Sequence, residues 1–319
     1  MRILLDPWQP ELGPELPALA TPAVEPEAQV DCDVEVAAAA WVPITPAAGL
    51  APDRFYFVDG VRRAEARIVG VRENKRFLGC FGALAVGAVA AERGAIRFHT
   101  VVTERVVVTG GGERLPAPVV VSKVLVYTPL ATPGEEPEAP VAALQARMRA
   151  TEETLARGLR DAGDGIVICD GPMRSSLHGT SRVLGLIKRI ANLYVPPSLL
   201  PVLGRLERGQ RTPLLALKNP SYGRYTWFLR LAAPRRGDSE TSGLVRVEVS
   251  DTDGVDAARA LADQSCTFLP DFASVRGLHP RAPQNLLPIG ALETRLRREL
   301  GDVGAIHRQI QTTLANEDT

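Results

Sequence analysis

The sequence is poor in sulfur, in long apolar runs and in net charge, and each shortage closes off a class of function. Its four cysteines, Cys32, Cys80, Cys169 and Cys266, lie far apart with no CxxC or Cys/His spacing, which speaks against a zinc site and for reduced, mostly buried thiols. No run reaches the roughly 18 uninterrupted apolar residues that a membrane-spanning helix needs. The richest run, Pro118 to Tyr127, is broken by Ser122 and Lys123 and is strand-sized. Near Met1, Asp6, Pro7 and Glu11 interrupt the apolar residues before a secretory core can form, so a cytoplasmic protein is expected. Gly110 to Gly112 are followed by no GK[ST] and sit between strand-like segments, which argues against a phosphate loop.

Lys+Arg and Asp+Glu are equal in number across the 319 residues, but the two signs are segregated. Met1 to Asp53 holds nine acids against one base, and Arg174 to Arg236 holds twelve Lys and Arg against Glu207 alone. A basic third of the chain is the footprint expected of phosphate contacts. The plainer reading is a solvated surface balanced by the acidic N-terminal region folding against it.

The length suits one large domain with appendages. Residues 1–50 carry many prolines and little periodicity and read as an irregular acidic arm, with one short strand around Val34 to Trp41. Residues 51–319 read as the folded domain. Four β-branched segments follow the arm, Phe55 to Val71, Gly79 to Ala90, Ala95 to Thr109 and Val119 to Tyr127, and suggest an antiparallel meander. After a Pro/Glu-rich linker, Val141, Leu144, Met148, Leu155, Leu159 and Ala162 share one helical face. A short strand ends in Asp170 and Gly171, a helical stretch is expected over Thr180 to Asn192, and strands over Tyr225 to Leu231 and Leu244 to Val249. Helices at Gly254 to Gln264 and Leu287 to Leu300 complete a mixed α/β order.

Carboxylates fall at telling places. Asp59 ends the first core strand in Phe-Val-Asp-Gly, and Asp170 ends the first strand after the long helix in Ile-Cys-Asp-Gly. Strand-end carboxylates project from the rim of an open α/β sheet, where ligands bind. Glu152 interrupts the apolar stripe of the helix, and a core-facing carboxylate is costly unless paired or holding a metal. Glu153, beside Arg149 and Arg160, reads as a surface acid and stands as the alternative. Glu293 borders the apolar face of the last helix and is a candidate fourth ligand or a flanking ion-pair acid. Carboxylates of this kind can hold Mg²⁺ or Mn²⁺, and two such ions can drive phosphodiester hydrolysis without a Ser, Cys or His nucleophile. The bland reading is that each Asp-Gly merely starts a turn.

An aspartate on strand one, a helical glutamate and an aspartate on the next strand make the pattern of a ribonuclease H-like fold: a mixed sheet flanked by helices. The local wording resembles the NurA family of nucleases. The resembling segments are Phe57-Val-Asp-Gly-Val-Arg62, Ile166-Val-Ile-Cys-Asp-Gly-Pro172, Gly185-Leu-Ile-Lys-Arg189, Arg224-Tyr-Thr-Trp-Phe228 with Val245-Arg-Val-Glu-Val249, and Pro280-Arg-Ala-Pro-Gln-Asn-Leu286. The resemblance implies a Mn²⁺-preferring, generally dimeric nuclease acting on DNA ends and single strands, and resecting breaks with the HerA hexameric translocase, an ATPase. It implies metal-binding roles for Asp59, Asp170 and Glu152 or Glu153, and a phosphate contact for Lys188. Many relatives have a histidine in the last helix where this chain reads Leu287-Pro-Ile-Gly-Ala-Leu, so Glu293 and His279 are the alternatives for a fourth ligand.

Arg174, Arg182, Lys188 and Arg189 follow Asp170 closely and are expected to line a nucleic-acid groove, against the reading of plain surface cations. Tyr222, Tyr225 and Trp227 alternate with Arg224 and Arg230, which suits single-strand stacking or, for Trp227 and Phe228, a core strand. His178 reads as a surface-loop residue or a proton-transfer aid. Two other functions stay in view. An actin-like sugar kinase or ATPase would need a second Gly-rich hairpin, for which Ser250-Asp-Thr-Asp-Gly254 is the one weak match, and an inactive DNA-binding module would not need all three acidic positions.

Overall fold

A computed structural model of the chain describes residues 2–5, 28–47 and 53–317, apart from 93, 164, 191, 221, 240, 276 and 278–281. In chain order the elements are β1 (Arg2–Leu5), β2 (Gln29–Asp31), β3 (Arg54–Arg72), β4 (Lys75–Glu92), β5 (Ala95–Thr109), β6 (Val119–Ser122), β7 (Leu125–Ala131) and α1 (Ala139–Asp161). After these come β8 (Ile166–Asp170), β9 (Val183–Ile187), α2 (Leu200–Arg205), β10 (Leu215–Lys218), β11 (Gly223–Arg230), β12 (Leu244–Ser250), α3 (Gly254–Phe268), α4 (Leu287–Glu299) and α5 (Val303–Glu317). Among the described residues no helix is long and apolar enough to cross a membrane.

The strands form one mixed sheet in the order β2-β10-β11-β12-β9-β8-β3-β4-β5-β7-β6, with β1 beside the far end of β3. Its centre is the antiparallel meander β3-β4-β5, followed on the other side of β3 by β8 and β9, both parallel to it. That order, with a helix crossing from the meander to β8, is the ribonuclease H-like arrangement. The meander follows from its β-branched and small residues and from the turn at Glu73 and Asn74, whose φ values of 49° and 67° match the two-residue hairpin turn of twisted strands.

Helices cover both faces. α1 lays Leu144, Met148, Ala156 and Leu159 on one side, each large side chain contributing roughly 2 kcal/mol by leaving water. α3 and α4 cover the other with Leu261, Ile289, Leu292 and Leu296, packed on Phe57, Ile166 and Ile168. α5 closes the outer half of the meander through Ile306, Ile310 and Leu314.

Several expectations are corrected. Val183–Ile187 is a strand buried throughout, not part of a helix: a short apolar run covered on both faces carries no periodicity to tell the two apart. β7 pairs parallel with β5 rather than extending the meander antiparallel. Near Val34 to Trp41 the chain makes a short 3-10 turn at Ala38–Ala40, and the strand is instead at Gln29–Asp31. The helix α5 was not anticipated. Two pieces of the first fifty residues are strands of the main sheet, through β1 with β3 and β2 with β10.

Candidate active site

The parallel ladder between β3 and β8 runs from Phe55 opposite Ile166 to Val58 opposite Cys169. The next residues on the two strands are Asp59 and Asp170. β8 stops there, while β3 continues to Arg72. Asp59 therefore ends a pairing rather than a strand, and the sheet opens into a notch at that point. Side chains alternate along a strand, so both aspartates lie on the face of Phe57 and Ile168. Glu152 arrives from the opposite face on α1. A Cβ added to Gly60 would stand 2.8 Å from Glu152 Oε1, so glycine is what lets that carboxylate reach across the backbone of β3.

Charge balance in the notch is poor. Asp59 is 8% exposed and accepts a 2.8 Å hydrogen bond from the Gly60 N–H. Burial, then the charges of Asp170 and Glu152, hold its pKa well above the usual carboxylate range, with Lys188 opposing. Burial also pushes Glu152 up to about 7, against the pull of Arg174 and with a further push from Asp170. Cys169 is pushed up to about 12, chiefly by burial and then by Glu152, which leaves it an inert thiol.

Two cations meet the three carboxylates. Arg174 bonds Glu152 and Glu153 at 3.1 Å each, and Lys188 Nζ lies 2.5 Å from Asp170 Oδ2 and 2.9 Å from Asn285 Oδ1. With these ion pairs in place, no three of the described His, Cys, Asp and Glu side chains are gathered tightly enough to hold an ion as they stand. The donor set nonetheless fits a divalent cation: hard carboxylate oxygens, buried for Asp59 and Glu152 and partly buried for Asp170, carrying like charge that a small dication would relieve.

Of the sequence-derived candidates, Asp59, Glu152 and Asp170 come together. Glu153 faces the Arg174 side of the same helix. Glu293 pairs with Arg297 at 3.0 Å within α4. Lys188 points at Asp170 rather than outward, and exposed Arg189 follows it. Arg182 does not line the notch. It precedes β9, whose opposite end leads to Lys188, a separation of roughly 20 Å at the usual strand rise. His279 lies outside the described residues. Arg224, Arg230 and Trp227 are fully buried, so the run from Tyr222 to Arg230 is no stacking platform of alternating cations and aromatics. His178 bonds Asp251 at 3.0 Å beside the last residue of β12.

Sequence reasoning missed two supporting residues. Asn285, 1% exposed, positions Lys188, and its place in the Pro280 to Leu286 segment was the available signal. Glu248, fully buried, accepts the Met173 N–H at 2.9 Å and pairs with Arg224 and Arg246 at 3.1 and 3.0 Å. It thereby fixes the loop from Asp170 to Arg174 over β9. Gly185 makes room, since a Cβ there would be 2.5 Å from the Met173 nitrogen.

No protein-family model and no curated protein matches the chain. Among solved structures it is similar to the NurA nuclease from Sulfolobus solfataricus, at 12% identity over 81% of this chain and 88% of that one, with a TM-score of 0.45. It is also similar to human ENDOV, at 13% identity over 77% and 84% of the two chains and a TM-score of 0.34, and at these identities the likeness is one of fold alone.

Proposed function

We propose that this chain is a divalent-metal-dependent deoxyribonuclease that hydrolyses DNA phosphodiesters, with Asp59, Asp170 and Glu152 as its metal-holding carboxylates. The observation that carries the reading is the meeting of two buried carboxylates, Asp59 and Glu152, with the partly buried Asp170, from two strands and a helix where the β3–β8 ladder ends. Bound Mn²⁺ or Mg²⁺, as a pair of ions, would neutralise the phosphate, supply a deprotonated water and stabilise the leaving oxygen. The chain itself fixes the two aspartates on neighbouring strands and anchors the glutamate through the packed face of α1, and an ion would replace Lys188 and Arg174 as their partner. Glu153 stands beside Glu152 as a further acid on Arg174, and Glu293 is the candidate for a fourth. Lys188 and Arg174 supply positive charge beside the place a phosphate would take. The NurA resemblance adds the finer parts of the reading: manganese preference, a homodimer in the cytoplasm, and end resection in double-strand break repair with a HerA-type hexameric ATPase.

An actin-like kinase is not supported, because its phosphate hairpin would need an Asp-Gly turn. Here Asp59 and Gly60 lie inside β3, and the hairpin turns at Glu73 and Asn74. The test is incubation of purified protein with end-labelled single- and double-stranded DNA and Mn²⁺ or Mg²⁺, beside Asp59→Ala and Asp170→Ala. Metal-dependent cleavage lost in both variants is the expected result. Cleavage surviving both substitutions would overturn the site, and Mg-ATP hydrolysis without DNA cutting would overturn the function.

A further inference from the structure

Beyond Val58, no strand among the described residues pairs with this edge of β3 until β1 joins at Ile68. On the α1 face of this stretch stand Gly60 and Arg62. A bulge between Ala64 and Ala66 then resets the alternation, so that Arg67, opposite Cys80, returns to the same face. α1 crosses there. Its Glu152 lies over Gly60, and its Gln145 accepts a hydrogen bond from Arg62 Nε. Arg149 falls between them on the helix, four residues past Gln145 and three before Glu152, so it is on the same stripe, roughly 5 Å along the axis from Glu152.

Arg62, Arg149 and Arg174 thus converge along one line that ends at the carboxylate notch. Arg62 is held below the usual guanidinium range first by burial and next by Arg149, and Arg149 first by burial and next by Arg174. Like charges that lower one another's stability are drawn together at a cost. Arg174 forms ion pairs with Glu152 and Glu153, and the same two carboxylates oppose the shift of Arg149 without bonding it. Among the described residues Arg62 is bonded only to the neutral Gln145 amide, the Arg149 side chain has no hydrogen bond or ion pair although its backbone carbonyl accepts one from Arg174 at 3.1 Å, and the buried Arg67 Nε is without a partner. An anionic chain with charges at regular intervals answers such a row, whereas a single small anion would answer one member.

We propose that Arg62, Arg149 and Arg174, extended by Arg67, form a phosphate track that carries a DNA strand along the α1 side of β3 into the notch. The inference rests on the nuclease reading for the identity of the polyanion, and it moves the strand's path from the β9 side, where Arg182 was expected, to the α1 side.

The test separates binding from cleavage. A fluorescein-labelled single-stranded oligonucleotide is titrated without divalent metal, over a range of salt, against the full chain carrying Asp59→Asn and against the same chain with Arg62→Ala, Arg149→Gln or Arg182→Ala added. Each track substitution is expected to weaken binding several-fold and to flatten the slope of log affinity against log salt by about 0.7, while Arg182→Ala leaves the slope unchanged. Because Arg149 is on an exposed helix surface, its variant carries the test even should Arg62→Ala fail to fold. An unchanged slope in Arg149→Gln, or a slope lowered only by Arg182→Ala, would overturn the track, with any cleavage by the unsubstituted chain still standing. A flattened slope in a protein that never cuts DNA would keep the track and remove the nuclease reading.

Discussion

Buried acids in this molecule are of two kinds. Glu248 and Glu65, 0% and 2% exposed, are each met by two arginines and a further donor, the Met173 N–H for one and the Tyr127 hydroxyl for the other. Glu35 is met by Arg211 through two nitrogens and by the Leu214 N–H. Asp59, 8% exposed, has the Gly60 N–H and faces two other carboxylates. Where an acid serves the fold, long-range pairing brings it cations. Where acids are brought to one another instead, the fold gives up stability for a place that attracts positive charge.

The sharpest way to break this contrast is Asp59→Asn. Cleavage is expected to fall at least roughly 10³-fold, while the denaturant midpoint without metal holds or rises, because an uncompensated buried charge has been removed. A large loss of stability would instead group Asp59 with Glu248. Glu248→Ala should do the opposite and cost roughly 3–5 kcal/mol in equilibrium unfolding, since two buried arginines lose their partner and the loop after Asp170 loses its anchor. Glu35→Ala should cost roughly 3 kcal/mol, less than Glu248→Ala because Arg211 keeps Asp263 at 2.7 Å.

Glu35 also has a pH signature. Burial acts to raise its pKa, but the hydrogen bond and charge of Arg211 prevail, so it is depressed in the folded state. Its contribution is therefore complete above the ordinary glutamate value of 4.5 and is lost as pH falls through the lower folded value. In acid titrations followed by circular dichroism, the unsubstituted chain should lose stability over that window, and Glu35→Gln should flatten the dependence. The smallest effect is expected of Glu293→Ala, within about 0.5 kcal/mol, as its partner Arg297 is an exposed neighbour within the same helix. Loss of cleavage in that variant would move Glu293 from the surface acids to the notch.

Much of the centre was legible. The β-branched runs of the meander, the 3.6-residue stripe of α1 and the apolar run before Asp170 are local patterns, and Glu152 stood out because it broke one. The strand at Val183–Ile187 was hidden, because full burial on both faces erases the alternation that identifies a strand. The basic stretch from Arg174 to Arg236 misled in a different way. Arg211, Arg224 and Arg230 lie inside the protein, bonded to Glu35, Glu248 and the carbonyls of Leu203 and Leu206, so charge counted along the chain is not charge on the surface.

The sequence by itself determined that Glu152 interrupts an apolar helical stripe and that the meander, α1 and β8 are strands, helix and strand, because those follow from spacing along the chain. Only the tertiary structure decided that the β3–β8 ladder stops one residue short of Asp59 and Asp170, that Gly60 lets Glu152 through, and that Arg62 and Arg149 line up beside them. Such neighbours come from pairings a hundred residues apart, and periodicity, being local, carries no record of them.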